Sequence, residues 1–177
     1  HIQFKLVDFF GDDDEGDEDA AAIPLVHWPH DFLEIDDPKA SRGREYLLGR
    51  GISLTMATRY GLRYSPLQER VIFPVCEGDR LYGWQARTTR KTEYLDSLGR
   101  KREIPKILSS TAIPRSKTLM FADRLAGSDH AVLCEGPVDA IKAHFCGGNL
   151  AAMGKAVPTE QIRLLITGGA QKPYPPP

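Results

Sequence analysis

The five residues Glu135-Gly136-Pro137-Val138-Asp139 are where residue type and spacing point most directly to chemistry. They follow the apolar stretch AVLC and open a helical pattern running from about Pro137 to Cys146. In open α/β sheets, ligands sit outside the carboxyl ends of strands, and Glu135 falls at such an end. Gly136 permits a tight strand-to-helix turn. Pro137 suits a first helical turn, where a missing N–H costs nothing. Asp139 lies four residues after Glu135, near enough to share a site. Two carboxylates there offer hard oxygen ligands to a cation such as Mg²⁺. The plainer alternative is that both only neutralise the positive end of the helix dipole. On these five residues alone that alternative is favoured.

The surrounding pattern must position that turn. HAVLCEG reads as a buried strand, NLAAM as a second strand, and Pro158 to Ile166 as a second helix with Thr159 near its start. Strand–helix–strand–helix is the opening of a parallel α/β sheet. The prolines of the closing TGGAQKPYPPP cannot continue a central strand, so the α/β fold reads as truncated. Upstream, residues 39–49 read as a short helix stopping near Gly49 and Gly51. A second helix is capped by Ser53 and ends near Gly61. RVIFPVC and RLYGWQART flank the turn EGDR with a period of two, which predicts a β-hairpin from Arg70 to Thr88. Residues 89–105 are polar and basic and read as a mobile loop, followed by a short strand at Ile107 and Leu108. Residues 23–38, broken by Pro24, Pro29 and Pro38, read as an ordered lead-in. The acidic block GDDDEGDED at 11–19 cannot build a core and reads as a disordered linker.

The formal net charge of −1 conceals an asymmetry. His1 to Asp37 carries twelve acidic residues against one lysine, whereas Arg80 to Arg124 carries eleven basic residues against four acidic ones. The basic segment suits a polyanionic partner such as nucleic acid or nucleotides; a solvated basic surface is an equal alternative on charge alone. Cys76, Cys134 and Cys146 lack paired spacing and read as small apolar residues of a protein in a reducing compartment, without a zinc site. No apolar run approaches the length of a membrane span, no signal-peptide pattern opens the chain, and no P-loop is present.

In order and spacing, residues 40–166 resemble the catalytic core of bacterial- and phage-type DNA primases, members of the Toprim family. YLLGRGISLTMATRYGLRYSP resembles their helical segment, RVIFPVCEGDRLYGWQAR the hairpin after it, and PKILSS their "PKYLNS" element. LMFADRLA resembles the lead into the catalytic strand, and VLCEGPVDAIKAHFCGGNLAAMGKAVPTEQIRLL the first Toprim strand, helix, strand and helix. The implied fold is an α+β N-terminal subdomain of short helices and a β-hairpin, followed by a truncated α/β Toprim fold. The implied domains are an acidic linker and lead-in at 1–38, a nucleic-acid-binding subdomain at 39–128, the first half of Toprim at 129–168, and an irregular tail at 169–177. The resemblance makes Glu135 the metal-associated catalytic residue and Asp139 its partner in holding Mg²⁺ or Mn²⁺. It places Arg87, Lys106 and Arg115 beside template or nucleotide phosphates, with Gly136 and Gly154 where backbone approaches a ligand. Tyr82 and Trp84 serve either for stacking on bases or, at least as well, for core packing.

The implied activity is synthesis of short RNA primers on single-stranded DNA during replication in the bacterial cytoplasm, from a chromosomal, phage or plasmid replicon. The implied partners are ribonucleoside triphosphates, the template and a replicative helicase. The family's zinc ribbon is missing, and no acidic residue follows Glu160, so its later DxD pair is missing too. These departures keep two alternatives in view. One is a non-catalytic relative that binds single-stranded nucleic acid; the other is a different Toprim enzyme, such as a nuclease.

Overall fold

The computed structural model describes residues 25–77, 79–110, 120–121, 132–146 and 150–152. Its centre is the expected hairpin: β3 (Arg70–Glu77) pairs antiparallel with β4 (Arg80–Thr88), from Arg70↔Thr88 to Glu77↔Arg80. Around it lie β1 (Leu33–Glu34), β2 (Arg63–Ser65) and β7 (Ile107–Ser109), giving a five-stranded sheet in the order β1-β2-β3-β4-β7. Pro74 sits within β3 without breaking the sheet. The register with β2 ends at Ile72, so at Pro74 the strand has a neighbour only on its β4 side, and the ladder shifts between Val75 and Cys76.

Alternation gives the sheet two covered faces. Val71, Phe73 and Val75 point to one side and are at most 3% exposed. Ile72 points to the other, with Phe32 and Ala86 and the half-buried Trp28 and Trp84. Trp84 meets Phe32 edge-on at 5.0 Å, so it packs in this second cluster. The lead-in 25–38 thus supplies Phe32 and Ile35 to the protein interior.

The main face is covered by helices. A 3-10 turn, Pro38–Ala40, runs into α1 (Ser41–Leu48), followed by α2 (Leu54–Arg59). Ser53 caps α2, its hydroxyl accepting from the Met56 amide at 3.3 Å. Both helices end alike. Gly51 and Gly61 take φ of +76° and +60°, and the next amides turn back, Ile52 N–H to Leu47 O and Leu62 N–H to Ala57 O. That helix-ending geometry needs glycine and buries the apolar residue after it. Ile52 and Leu62 are each 1% exposed.

The last third provides β8 (Val132–Cys134), α3 (Pro137–Phe145) and β9 (Leu150–Ala152), with β8 and β9 parallel, as the alternating pattern predicts. Val138, Ala140 and Ile141 of α3 join the same core cluster as Val71, Phe73, Leu47 and Ile52. Residues 89–105 differ from expectation. They form a two-stranded hairpin, β5 (Glu93–Leu95) and β6 (Lys101–Glu103), instead of a mobile loop. The physical reason is a loop organised by Asp96, described below. The second helix expected at 158–166 and the acidic block at 11–19 lie outside the described residues.

Candidate carboxylate turn and basic sheet edge

β8 ends at Cys134, and the next two residues make the turn. Gly136 is the N-cap of α3, extended at φ −144°, ψ 159°, and Pro137 occupies the first helical turn. The Gly136 carbonyl accepts the Ala140 amide at 3.1 Å, closing the first turn. Glu135 and Asp139 are both exposed, one just before the cap and one in the first turn. A Cβ on Gly136 would lie 4.0 Å from Asp139 Oδ2, so the Asp139 carboxylate stays close to the turn backbone. Burial, with a smaller contribution from the Asp139 charge, pushes the Cys134 thiol up, so Cys134 is held in its neutral form.

The donor chemistry of this turn, two exposed carboxylates on one strand-to-helix junction, fits a hard divalent cation with the rest of its shell supplied by other oxygens. Among the described residues no group of three or more His, Cys, Asp or Glu side chains could hold a metal ion.

The basic residues gather elsewhere, at the β4–β7 edge. Arg87 pairs in register with Val71 on one side and Ile107 on the other. It therefore lies on the main face of the sheet, the face that α3 also covers. Arg87 is half-buried, and its Nε is buried without a hydrogen-bond partner among the described residues. Such a donor costs about 1–3 kcal/mol when left unsatisfied. Lys106 stands exposed just before β7, and its carbonyl accepts the Thr88 amide at 3.1 Å. Arg87 and Lys106 thus lie on neighbouring segments, Arg87 opposite Ile107 and Lys106 opposite Thr88. Arg115 and Gly154 lie outside the described residues.

Three features of this edge were not singled out by sequence reasoning. Arg70 is 5% exposed and makes no ion pair with the described residues; its guanidinium donates to the carbonyls of Ala86 (3.3 Å) and Pro105 (2.7 Å). Burial lowers its pKa from the usual arginine value. Glu69, in the left-handed region at φ 50°, pairs with both Arg42 and Arg90, and its carbonyl accepts from Thr89 N and Oγ1. Asp96 holds the β5–β6 loop. Its carboxylate accepts from the amides of Leu98 (2.9 Å) and Arg100 (3.0 Å), and from the Nε atoms of Arg100 and Arg102 (both 3.0 Å). The Arg100 amide leads the contacts that hold Asp96 below the usual carboxylate range, against a partial desolvation. The available signal was the turn-forming stretch Asp96-Ser97-Leu98-Gly99-Arg100, an Asp that accepts from amides two and four residues on, with Gly99 at φ +72° completing the turn.

A separate cleft of about 380 Å³ opens between the lead-in, the end of α2 and β3, lined by Trp28, Asp36, Arg59, Arg63 and Cys76 among others. Arg63 is spoken for there: it stacks over Trp28 at 4.4 Å and donates to the Phe32 carbonyl at 3.0 Å. Cys76 and Cys134 are half-buried, whereas Cys146 is exposed, unlike the core placement expected of it. Among the described residues no helix is long and apolar enough to cross a membrane.

No protein-family model matches the sequence, and no curated protein matches it. Solved structures do match in fold. The RNA polymerase domain of Mycobacterium tuberculosis primase DnaG in complex with double-stranded DNA gives a TM-score of 0.60 at 16% identity, over 77% of this chain and 55% of that one. A DnaG primase catalytic domain bound to single-stranded DNA gives 0.59 at 18% identity, over 78% and 55%. The E. coli primase catalytic core gives 0.58 at 17% identity, over 77% and 55%. The chain thus has a mixed α/β fold like that of primase catalytic cores, and it spans about 55% of the length of those structures.

Proposed function

We propose that this chain is part of a DNA primase of Toprim type, which synthesises RNA primers on single-stranded DNA. The observation that carries this reading is the placement of Glu135 and Asp139. They flank a Gly-Pro strand-to-helix turn at the carboxyl end of a parallel strand, within a fold similar to primase catalytic cores. In this reading residues 39–128 bind nucleic acid and residues 129–168 begin the Toprim unit, with the lead-in at 1–38 and the tail at 169–177.

Glu135 and Asp139 would hold Mg²⁺ or Mn²⁺. A cation bound there neutralises phosphate charge and acts as a Lewis acid on a phosphoryl oxygen. Gly136, without a Cβ, leaves room for a nucleotide to approach the turn, and Gly154 serves likewise beyond β9. Arg87 and Lys106, with Arg115, orient the template or the incoming ribonucleoside triphosphate through its phosphates. Binding should weaken steeply with salt, as expected for counterion release. A replicative helicase is the expected protein partner, and the bacterial cytoplasm the expected compartment.

The test is incorporation of labelled ribonucleotides on single-stranded DNA with Mg²⁺ or Mn²⁺. It compares the polypeptide as its gene encodes it, its Glu135→Gln variant and the 177-residue chain. Short RNA products lost in Glu135→Gln support the reading. The 177-residue chain alone, which has no acidic residue after Glu160, is expected to bind DNA without making primers. No products from the intact polypeptide, with salt-sensitive DNA binding retained, would assign a binding role instead.

A further inference from the structure

The β5–β6 hairpin leaves the sheet between Arg87 and Lys106, so its base adjoins the proposed template edge. Its two faces differ. Register pairs Tyr94 with Arg102, and Asp96 lies two residues past Tyr94 on the same face. Asp96 clamps both Arg100 and Arg102 by their Nε atoms, which leaves the outer nitrogens of both guanidiniums available. The opposite face carries Glu93 and Glu103 directly across from each other, beside Leu95 and Lys101. Tyr94 is 51% exposed, and the side chains of Arg100 and Arg102 are 61% and 50% exposed. An exposed ring beside two guanidiniums held in place by a carboxylate presents a stacking surface and a charged surface side by side. On this face two arginines share one aspartate, so the face carries an excess positive charge, which an anionic partner complements.

We infer that the Tyr94–Arg100–Arg102 face of this hairpin is a second contact for single-stranded nucleic acid, on which a base stacks on Tyr94 while the adjacent phosphates meet the two guanidiniums. Aromatic rings accept any unstacked base, whereas the bases of a duplex are already stacked, so a single strand is the fitting class. The guanidinium fork matches phosphate geometry. The clamp at Asp96 fixes both forks before binding, which reduces the ordering cost on association. This contact rests on the template reading above only for its neighbour at Arg87, since the hairpin face would hold a single strand by itself.

Fluorescence anisotropy with a labelled oligothymidine strand, and with a duplex of matched length, tests it on the 177-residue chain and its variants. Tyr94→Val keeps strand propensity but removes the ring; it should weaken single-strand binding about tenfold, the scale of one stacked base. Tyr94→Phe should bind as the parent does. Arg102→Ala should weaken binding and flatten the log–log salt dependence by about 0.7 for each phosphate that it no longer neutralises. Circular dichroism melting confirms that each variant is folded. Parental affinity in Tyr94→Val, equal weakening in Tyr94→Phe, or duplex binding as tight as single-strand binding would overturn the inference. Arg87→Ala separates it from the template reading. Weaker binding with Tyr94→Val but not Arg87→Ala keeps the hairpin site and removes the edge site. Weaker binding with Arg87→Ala alone does the reverse, and no binding by the parent removes both.

Discussion

The basic edge around β4 and the carboxylate turn after β8 are built in opposite ways. At the edge three residues tie charges together internally: Glu69 takes Arg42 and Arg90, Asp96 takes Arg100 and Arg102, and Arg70 takes two carbonyls. At the turn, Glu135 and Asp139 are exposed and make no ion pair with the described residues. The edge therefore uses its charges to hold its own shape. The turn is shaped by its backbone and by the apolar face of α3, which leaves both carboxylates open to a ligand. Substitutions at the two places should separate accordingly. Those at the turn remove chemistry and spare stability, while those at the edge cost stability first.

The largest effect is expected at the turn. On the proposed primase reading, Glu135→Gln should reduce ribonucleotide incorporation by about a hundredfold or more, since a cation held there would be worth several kcal/mol to charge development. An exposed substitution of this kind usually changes stability by no more than about 0.5 kcal/mol. A comparable drop in activity and in urea midpoint would erase the contrast between turn and edge.

At the edge, Arg70→Met should cost about 2–3 kcal/mol in urea denaturation. It removes two charge-assisted hydrogen bonds and leaves the Pro105 carbonyl without its arginine donor. If Arg70→Met were as mild as Glu135→Gln, the edge would not be held together by its own cations. Between these falls a packing test of the helix that carries Arg42. A Cβ on Gly43 would lie 2.7 Å from Tyr64 Cδ2, under the limit real contacts reach. Gly43→Ala should cost about 1–3 kcal/mol as α1 is pushed from β2.

The same contrast explains what was legible in the sequence. Period-two alternation marked the hairpin Arg70–Thr88 to the residue, and Ser53, Gly51 and Gly61 marked the ends of the helices. Pro137 marked the start of α3, because a proline without an N–H fits only there. Those are local signals, read from the residue that makes them. What was missed depends on contacts distant in sequence. Trp84 gave no hint of Phe32, fifty-two positions earlier, until register placed both on the second face. Arg70 entered the sequence reading only as the first residue of the hairpin, yet its partners are carbonyls of β4 and the segment before β7. The β5–β6 hairpin was hidden because its strands are three residues long and exposed throughout, so no apolar alternation exists to read. Its order comes from one aspartate.

That aspartate allows the finest test of a self-held edge. Asp96 is kept below the usual carboxylate value, with the Arg100 amide as the leading cause. A depressed pKa means that the unfolded hairpin takes up a proton more readily than the folded one. The contribution of Asp96 is therefore fully present above the unfolded aspartate value of about 3.9 and is lost as pH falls through the lower, folded value. The effect should be small, because the site is exposed to solvent screening. It is best read locally, from the amide proton shifts of Leu98 and Arg100, whose N–H groups donate to Asp96 Oδ1. Both should titrate together with a midpoint below about 3.9, and Asp96→Asn should abolish the transition. A midpoint at or above that value would mean that the two arginines and two amides do not hold the carboxylate in solution. The hairpin would then enter any complex as a loose segment, and the ordering cost that the clamp removes would reappear in its affinity for a strand.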